Sequence, residues 1–360
     1  MKEWNIYKIA DIVDEISMGP FGSNIKVENF ISEGIPVLNG SNLQGYKLNE
    51  ESFNYVSEEK ANSLGKANAY RGDVVITHRG TLGQIIYIPS DSQFERYVIS
   101  QSQFRLKLKR DIVRPDFLVY YFHTAIGQHK ILMNASQVGV PALARPTSTF
   151  REVTVPIPPM DIQNKIMDIL LSIDGKLTVN KQINDNLEQQ AQALFNYFFV
   201  DNINELGDYH EGSLTDIASY LNGLAMQKFR PEGTDCGLPV LKIKELGQGF
   251  CDSSSDRCSS YIKDDYVINN GEIIFSWSGT LLVDFWCAGK CGLNQHLFKV
   301  TSDDYPKWFI YFWTKHHLDQ FIRIAKDKAV TMGHIKRSEL DNANVLIPST
   351  KKLDQIGATI

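Results

Sequence analysis

Apolar and polar positions follow two rhythms along this chain, and the change of rhythm divides it. Across residues 160–200 the apolar positions fall three and four apart. Ile166, Ile169, Ile173, Asn180, Ile183, Leu187, Leu194 and Tyr197 take heptad a and d places, with Lys176 and Gln190 in d places that an ideal seam would make apolar. Helix formers fill the interior and no proline interrupts it. At ~1.5 Å per residue, a helix of about 40 residues is roughly 60 Å long, more than one small domain can bury. The pattern predicts a coiled-coil spacer that needs a partner helix. Gly175 costs that helix about 1 kcal/mol relative to alanine. Asn180 at an a position lowers stability but can fix register or partner number. The alternative is an amphipathic helix packed on its own domain.

On either side the rhythm is that of short strands. Residues 35–39, 73–77, 85–88 and 104–108 are β-branched or apolar runs bounded by turn residues, and predict strands. Residues 115–133 open with Pro115 and carry Leu118, Tyr121, Phe122, Ala125 and Ile126 at helical spacing; residues 306–325 match them. Tyr120 to Phe122 and Tyr311 to Trp313 are read as core packing rather than stacking platforms.

The two flanks repeat one another. Trp4, Ile9, Asp11 and Ile12 correspond to Tyr209, Leu214, Asp216 and Ile217. Gly34-Ile35-Pro36-Val37-Leu38 corresponds to Gly237-Leu238-Pro239-Val240-Leu241, and Gly72-Asp73-Val74-Val75-Ile76 to Gly271-Glu272-Ile273-Ile274-Phe275. Gly80-Thr81-Leu82 corresponds to Gly279-Thr280-Leu281, and Gln101 with Phe104 to Gln295 with Phe298. Pro115, Phe117 and Tyr120-Tyr121-Phe122 match Pro306, Trp308 and Tyr311-Phe312-Trp313; Val155-Pro156-Ile157-Pro158 matches Val345-Leu346-Ile347-Pro348. The order never breaks, so the chain carries two copies of one mixed α/β domain. The reading is α/β (α+β): a first domain at 1–158, a spacer helix at 159–203, a second domain at 204–348, and at 349–360 the start of a second helix that stops after about three turns.

Composition narrows the class. Of 360 residues, 43% are hydrophobic and 22% charged, as in a soluble globular protein, and no apolar run reaches the length of a membrane span. With no signal peptide, the expected location is cytoplasmic. Cys236, Cys251, Cys258, Cys287 and Cys291 form no Cys-x-x-Cys pair, which argues against a zinc ribbon or a disulfide framework. Cys287 and Cys291 are expected to be buried thiols.

The net charge of −5 hides two basic stretches. Residues 100–155 hold eight basic against three acidic residues, and residues 305–337 hold seven against two. Such stretches fit a DNA-binding face with an acidic back, or ordinary solvated helix faces. Polar loops follow each predicted helix, at 134–149 and 326–338, and a third, glycine-rich loop runs over 17–26. Their DNA-contact candidates are Ser23, Asn24, Lys26, Ser136, Gln137, Arg145 and Thr147 in the first copy, and Lys328, Thr331, His334 and Lys336 in the second. Arg79, Lys242, Lys244 and Arg323 complete the set.

The sequence resembles the specificity subunits of type I restriction–modification systems over essentially its whole length. The resemblance rests on Pro156-Ile157-Pro158-Pro159 leading to Gln163 and Ile166, and on the run from Lys181 to Glu188. It rests also on Ala191-Gln192-Ala193-Leu194-Phe195, on Gly19-Pro20-Phe21-Gly22-Ser23, and on the two-copy layout. It implies two target recognition domains, each reading half of a split double-stranded DNA site. It further implies a first conserved helix that pairs antiparallel with a second, sets the gap and docks two methyltransferase (M) subunits, with motor-endonuclease (R) subunits completing the enzyme. This chain would hold no cofactor: S-adenosylmethionine, ATP and Mg belong to the partner subunits. The short final helix departs from the family's pattern. It leaves open pairing with a second specificity chain, self-association through the spacer, or a truncated, scaffold-only subunit that reads no full site.

An enzyme is the main rival. Pro158-Pro159-Met160 lacks the amide and aromatic of a methyltransferase base-holding segment, and no phosphate-binding Gly-x-x-x-x-Gly-Lys-Ser/Thr occurs. The chain is therefore expected to be a non-catalytic recognition subunit.

Overall fold

The computed structural model describes residues 4–133, 135–136, 140–327 and 333–360. The chain divides into two units, Met1–Asn180 and Lys181–Ile360.

In the first unit the main sheet is antiparallel, in the order Val13–Met18, Gln103–Leu108, Val74–Thr77, Ile85–Tyr87. Val74, Ile76, Phe104 and Leu106 turn one face toward the helix Pro115–His123, where Leu118 and Phe122 close the core. The opposite face, through Val75 and Ile86, packs with Tyr97 and Ile99. A second sheet runs Phe30–Ile31, Asn54–Val56, Ile35–Val37, Arg96–Val98, Asn68–Tyr70, with one parallel pairing between Ile35–Val37 and Arg96–Val98. Asn5–Lys8 pairs with Thr154–Ile157, bringing the two ends of the unit together.

The second unit repeats this plan. Its main sheet is Ser219–Asn222, Leu297–Thr301, Glu272–Ser276, Leu282–Trp286, again antiparallel throughout. Its smaller sheet is Arg257–Cys258, Leu238–Leu241, Cys291–Leu293, Val267–Ile268, with the parallel pairing in the equivalent place. Tyr209–Ser213 pairs with Asn344–Pro348 as the counterpart of the closing ladder. A shared order of strands is a stronger statement of duplication than the degenerate residue matches.

The helix Met160–Asn196 is 37 residues long, and its turn Tyr197–Asp201 is π-helical. Gln163 is fully buried at its start and satisfied throughout. It accepts from the Arg114 amide at 3.0 Å and donates to the Ile112 and Pro158 carbonyls at 2.8 and 2.9 Å. Met167, with Ile166, Leu170 and Leu171 beside it, joins the first unit's core. In the second unit Phe195 and Phe199 enter the core, against Phe309, Phe312 and Trp313. Ile169, Ile173, Leu177, Ile183 and Leu187 are exposed, as is Asn180. A Cβ on Gly175 would meet nothing within 4 Å, so no packing holds that position to glycine.

Four expectations need correction. Residues 115–133 form two helices, Pro115–His123 and Ala125–Leu132, because the Thr124 hydroxyl caps the second by accepting from the Gly127 amide at 3.1 Å. The break turns Ala125 and Ile126 outward, so they do not extend the apolar face. Residues 306–325 likewise divide into Lys307–His316 and Leu318–Asp327 about His317, whose ring meets the Asn344 carbonyl at 2.8 Å. The loop expected over 17–26 begins only at Gly19, since Ser17 and Met18 end a strand. Among the cysteines, Cys291 is buried but Cys287 is exposed.

Candidate nucleic-acid interface

At one end of each main sheet the loops converge, and the same backbone bonds hold them. In the first unit the Gly80 amide donates to the Pro141 carbonyl at 2.9 Å and the Leu143 amide to His78 at 2.8 Å. In the second, Gly279 donates to Gly333 at 2.9 Å and Ile335 to Trp277 at 3.1 Å. Each polar loop is thus stitched to the turn after an inner strand, through the bridges Arg79 to Ala142 and Ser278 to His334.

The glycine loop closes the crown. A Cβ on Gly19 would lie 1.9 Å from the Ser100 carbonyl oxygen; one on Gly223, its counterpart, would lie 2.2 Å from that of Asn294. Only glycine lets the loop lie flat on the neighbouring backbone at either place. Beyond it, Phe21 stands out at 83% exposure, and Asn24 and Lys26 are exposed, Lys26 within 3.5 Å of Glu28. The Gln84 amide donates to the Gly40 carbonyl at 3.1 Å and its oxygen accepts from Thr81 at 2.7 Å, tying in a further turn.

The predicted residues divide between this crown and elsewhere. Arg79 is exposed beside Ala142, which also pairs with Ser136. Arg145 is exposed at the N-cap of Pro146–Arg151 and is left-handed, φ 46°, the one such non-glycine among the described residues; Thr147 follows in that helix, half-buried. His334 and Lys336 are exposed on the second unit's loop. Lys242 occupies the N-cap position of Ile243–Gln248 with its ammonium paired to Asp256, and Lys244 is 3.6 Å from Asp252. Arg323 is exposed on Leu318–Asp327, where its guanidinium turns back to the Asp319 carbonyl at 3.4 Å. Gln137, Lys328, Thr331 and the side chain of Ser23 lie outside the described residues.

Much of the basic stretch at 100–155 serves the fold. Arg105, 4% exposed, bridges Asp73 and Glu15, each at 3.1 Å. Burial pushes the Asp73 carboxyl above its ordinary value even so. Arg114 is engaged with Asp116 and Asn164, Arg110 with the Arg71 carbonyl, and Lys130 with that of Thr154. A positive count along the chain therefore overstates the positive surface.

The crown also contains residues that the loop compositions did not single out. His78 faces the Gln101 carbonyl at 3.1 Å, and burial lowers its pKa against the pull of that contact. In the second unit the Trp277 indole donates to Asn222 at 3.0 Å, and Ser278 meets the His296 ring at 2.9 Å. Their signal was present in the sequence as flanks of the repeat matches at Gly80 and Gln101.

The geometry offers hydrogen-bonding groups and exposed cations on loops tied by equivalent backbone bonds, in duplicate. Similarity to known proteins bears on the same point. The family model for the type I restriction modification DNA specificity domain matches residues 1–189 and again 207–360. The MjaIX specificity subunit of a type I restriction enzyme from Methanocaldococcus jannaschii is 24% identical over 96% of this chain and 83% of its own length. The HindI specificity subunit from Haemophilus influenzae is 30% identical over 56% of this chain; the match spans less than half of that relative, 42%. A crystal structure of the type I restriction–modification S subunit from M. genitalium superposes with a TM-score of 0.56 at 14% identity, covering 99% of this chain and 88% of that one, a likeness of fold.

Proposed function

The chain belongs to the type I restriction modification DNA specificity family, and on that footing we propose that it reads a split duplex DNA site, one half per unit. The observation that carries this reading is the duplicated crown: equivalent backbone bonds hold equivalent loops, while the exposed side chains at the stitched bridges differ, Arg79 beside Ala142 in one unit against His334 beside Ser278 in the other. An identical frame with different polar surfaces suits two half-sites of different sequence. Exposed cations such as Arg79, Arg145 and Lys336 would position each unit on phosphates, and neighbouring polar side chains would select bases.

The chain itself would be the non-catalytic subunit. S-adenosylmethionine would be bound by methyltransferase subunits, and ATP and Mg by the motor-nuclease subunits. The long helix would fix the gap between half-sites and dock the methyltransferase subunits. Its exposed row of Ile169, Ile173, Ile183 and Leu187 supports an apolar seam with a partner, since isolated surface isoleucines and leucines do not ordinarily recur at heptad spacing.

The test is selection from randomised duplex DNA by the purified chain together with the methyltransferase subunits of its own system. Enrichment of two short motifs at one fixed separation is the expected result. Enrichment of a single half-site would mean that the units do not act together. No enrichment by folded protein would favour a scaffold-only subunit.

A further inference from the structure

Gln101 and Gln295 occupy the same place in the two units. Each stands three residues before a phenylalanine of the central strand: Phe104, opposite Ile76, and Phe298, opposite Phe275. The residue after each glutamine accepts a backbone bond from the stitched turn, Ser102 from His78 at 2.8 Å and His296 from Trp277 at 3.4 Å. The equivalence is therefore geometric as well as sequential.

The phenylalanines recur because both are buried in their cores. The glutamines have no such reason. Gln101 is exposed, and among the described residues its carboxamide makes no hydrogen bond. It lies over Gly22, where a Cβ would come 2.2 Å from the carboxamide oxygen, so the glycine loop passes directly beside it. Gln295 is half-buried, with its amide 3.3 Å from the His296 ring. Their neighbours differ, Ser100 and Ser102 in one unit and Asn294 and His296 in the other. A polar group retained in both copies, outside both apolar cores and beside the glycine loop or the stitched turn, points to something common to both half-sites.

We propose that Gln101 and Gln295 each read an adenine through its major-groove edge, one in each half-site; this rests on the DNA-reading function proposed above. A carboxamide presents a donor and an acceptor side by side, and adenine offers the matching N7 acceptor and N6 donor. A phosphate only accepts, and would leave the carboxamide oxygen unmatched.

The test compares wild type, Gln101→Ala, Gln101→Glu and Gln295→Ala in full-length chains carrying their methyltransferase subunits, each selected on randomised duplex DNA. Gln101→Ala should lower the preference for adenine at one position of one half-site by roughly ten-fold and leave the other half unchanged. Gln295→Ala should do the same in the other half. Gln101→Glu keeps the side chain's shape but only accepts, and should move that position toward cytosine, whose N4 donates. Unchanged base preferences, or an equal loss of affinity on all sequences, would overturn the proposal. A wild type that enriches no motif at all would remove the DNA-reading function itself. A wild-type motif that the variants keep would remove only the assignment of the glutamines.

Discussion

The Tyr311 hydroxyl donates to the Glu188 carboxylate, and Tyr120, its counterpart in the first unit, donates to Asp174. Both acceptors belong to the long helix, so each unit grips its own stretch of that helix through the same tyrosine of the repeat. Burial raises the Glu188 pKa, but the bonds from Lys315 and Tyr311 outweigh it and hold the carboxyl below its ordinary value. Tyr311→Phe removes one bond to a charged acceptor and should destabilise the second unit by about 1–2 kcal/mol. Urea unfolding checks this; an unchanged midpoint would mean that Lys315 and the aromatic packing of Phe195 and Phe199 suffice to fasten the helix there.

Arg105 is the least replaceable cation of the first unit. Arg105→Met would leave Asp73 buried without its partner and should cost about 3–5 kcal/mol. The same change at exposed Arg79 should stay within about 0.5 kcal/mol. Chemical denaturation of the two variants separates a structural arginine from a surface one; equal losses would contradict the assignment.

Asp235 is held at a pKa of about 2, chiefly by the hydroxyls of Ser260 and Ser259. A folded-state pKa below the unfolded value means that this carboxylate adds stability above about pH 4, lost as the pH falls toward 2. The denaturation midpoint of the second unit should fall over that window in wild type and fall less in Asp235→Asn. Parallel profiles would show that the hydroxyl bonds carry no linkage.

Arg145 separates stability from binding. A left-handed conformation costs an L-residue about 1–2 kcal/mol, a strain that glycine does not bear. Arg145→Gly should therefore melt above Arg145→Ala, while both bind DNA more weakly. If the guanidinium meets a phosphate, both should reduce the slope of log affinity against log salt by about 1. An unchanged slope would remove Arg145 from the contact set.

The sequence carried the local parts of this structure and not the long-range ones. Val74–Thr77 and Ile85–Tyr87 were visible as runs of mostly buried apolar residues, and Gln103–Leu108 through the alternation of Phe104, Leu106 and Leu108 with polar positions. Thr124 hid its role, since a threonine inside a helical pattern shows as a cap only when the chain turns there. Arg105 looked like surface charge because its partners Glu15 and Asp73 are 90 and 32 residues away. Phe30–Ile31 and Arg257–Cys258 are two-residue strands made by their neighbours, with too little sequence of their own to announce them. For the same reason the crown could be anticipated as a set of loops, but not as one stitched surface.

Binding to duplexes that carry both half-sites, with the gap lengthened or shortened one base pair at a time, tests the bipartite reading most directly. Tight binding at one gap length is predicted, with a loss of at least about ten-fold on either side, because two units joined by one helix must both engage the same face pattern of the duplex. Equal affinity at every gap, or an isolated half-site bound as tightly as the whole, would contradict it.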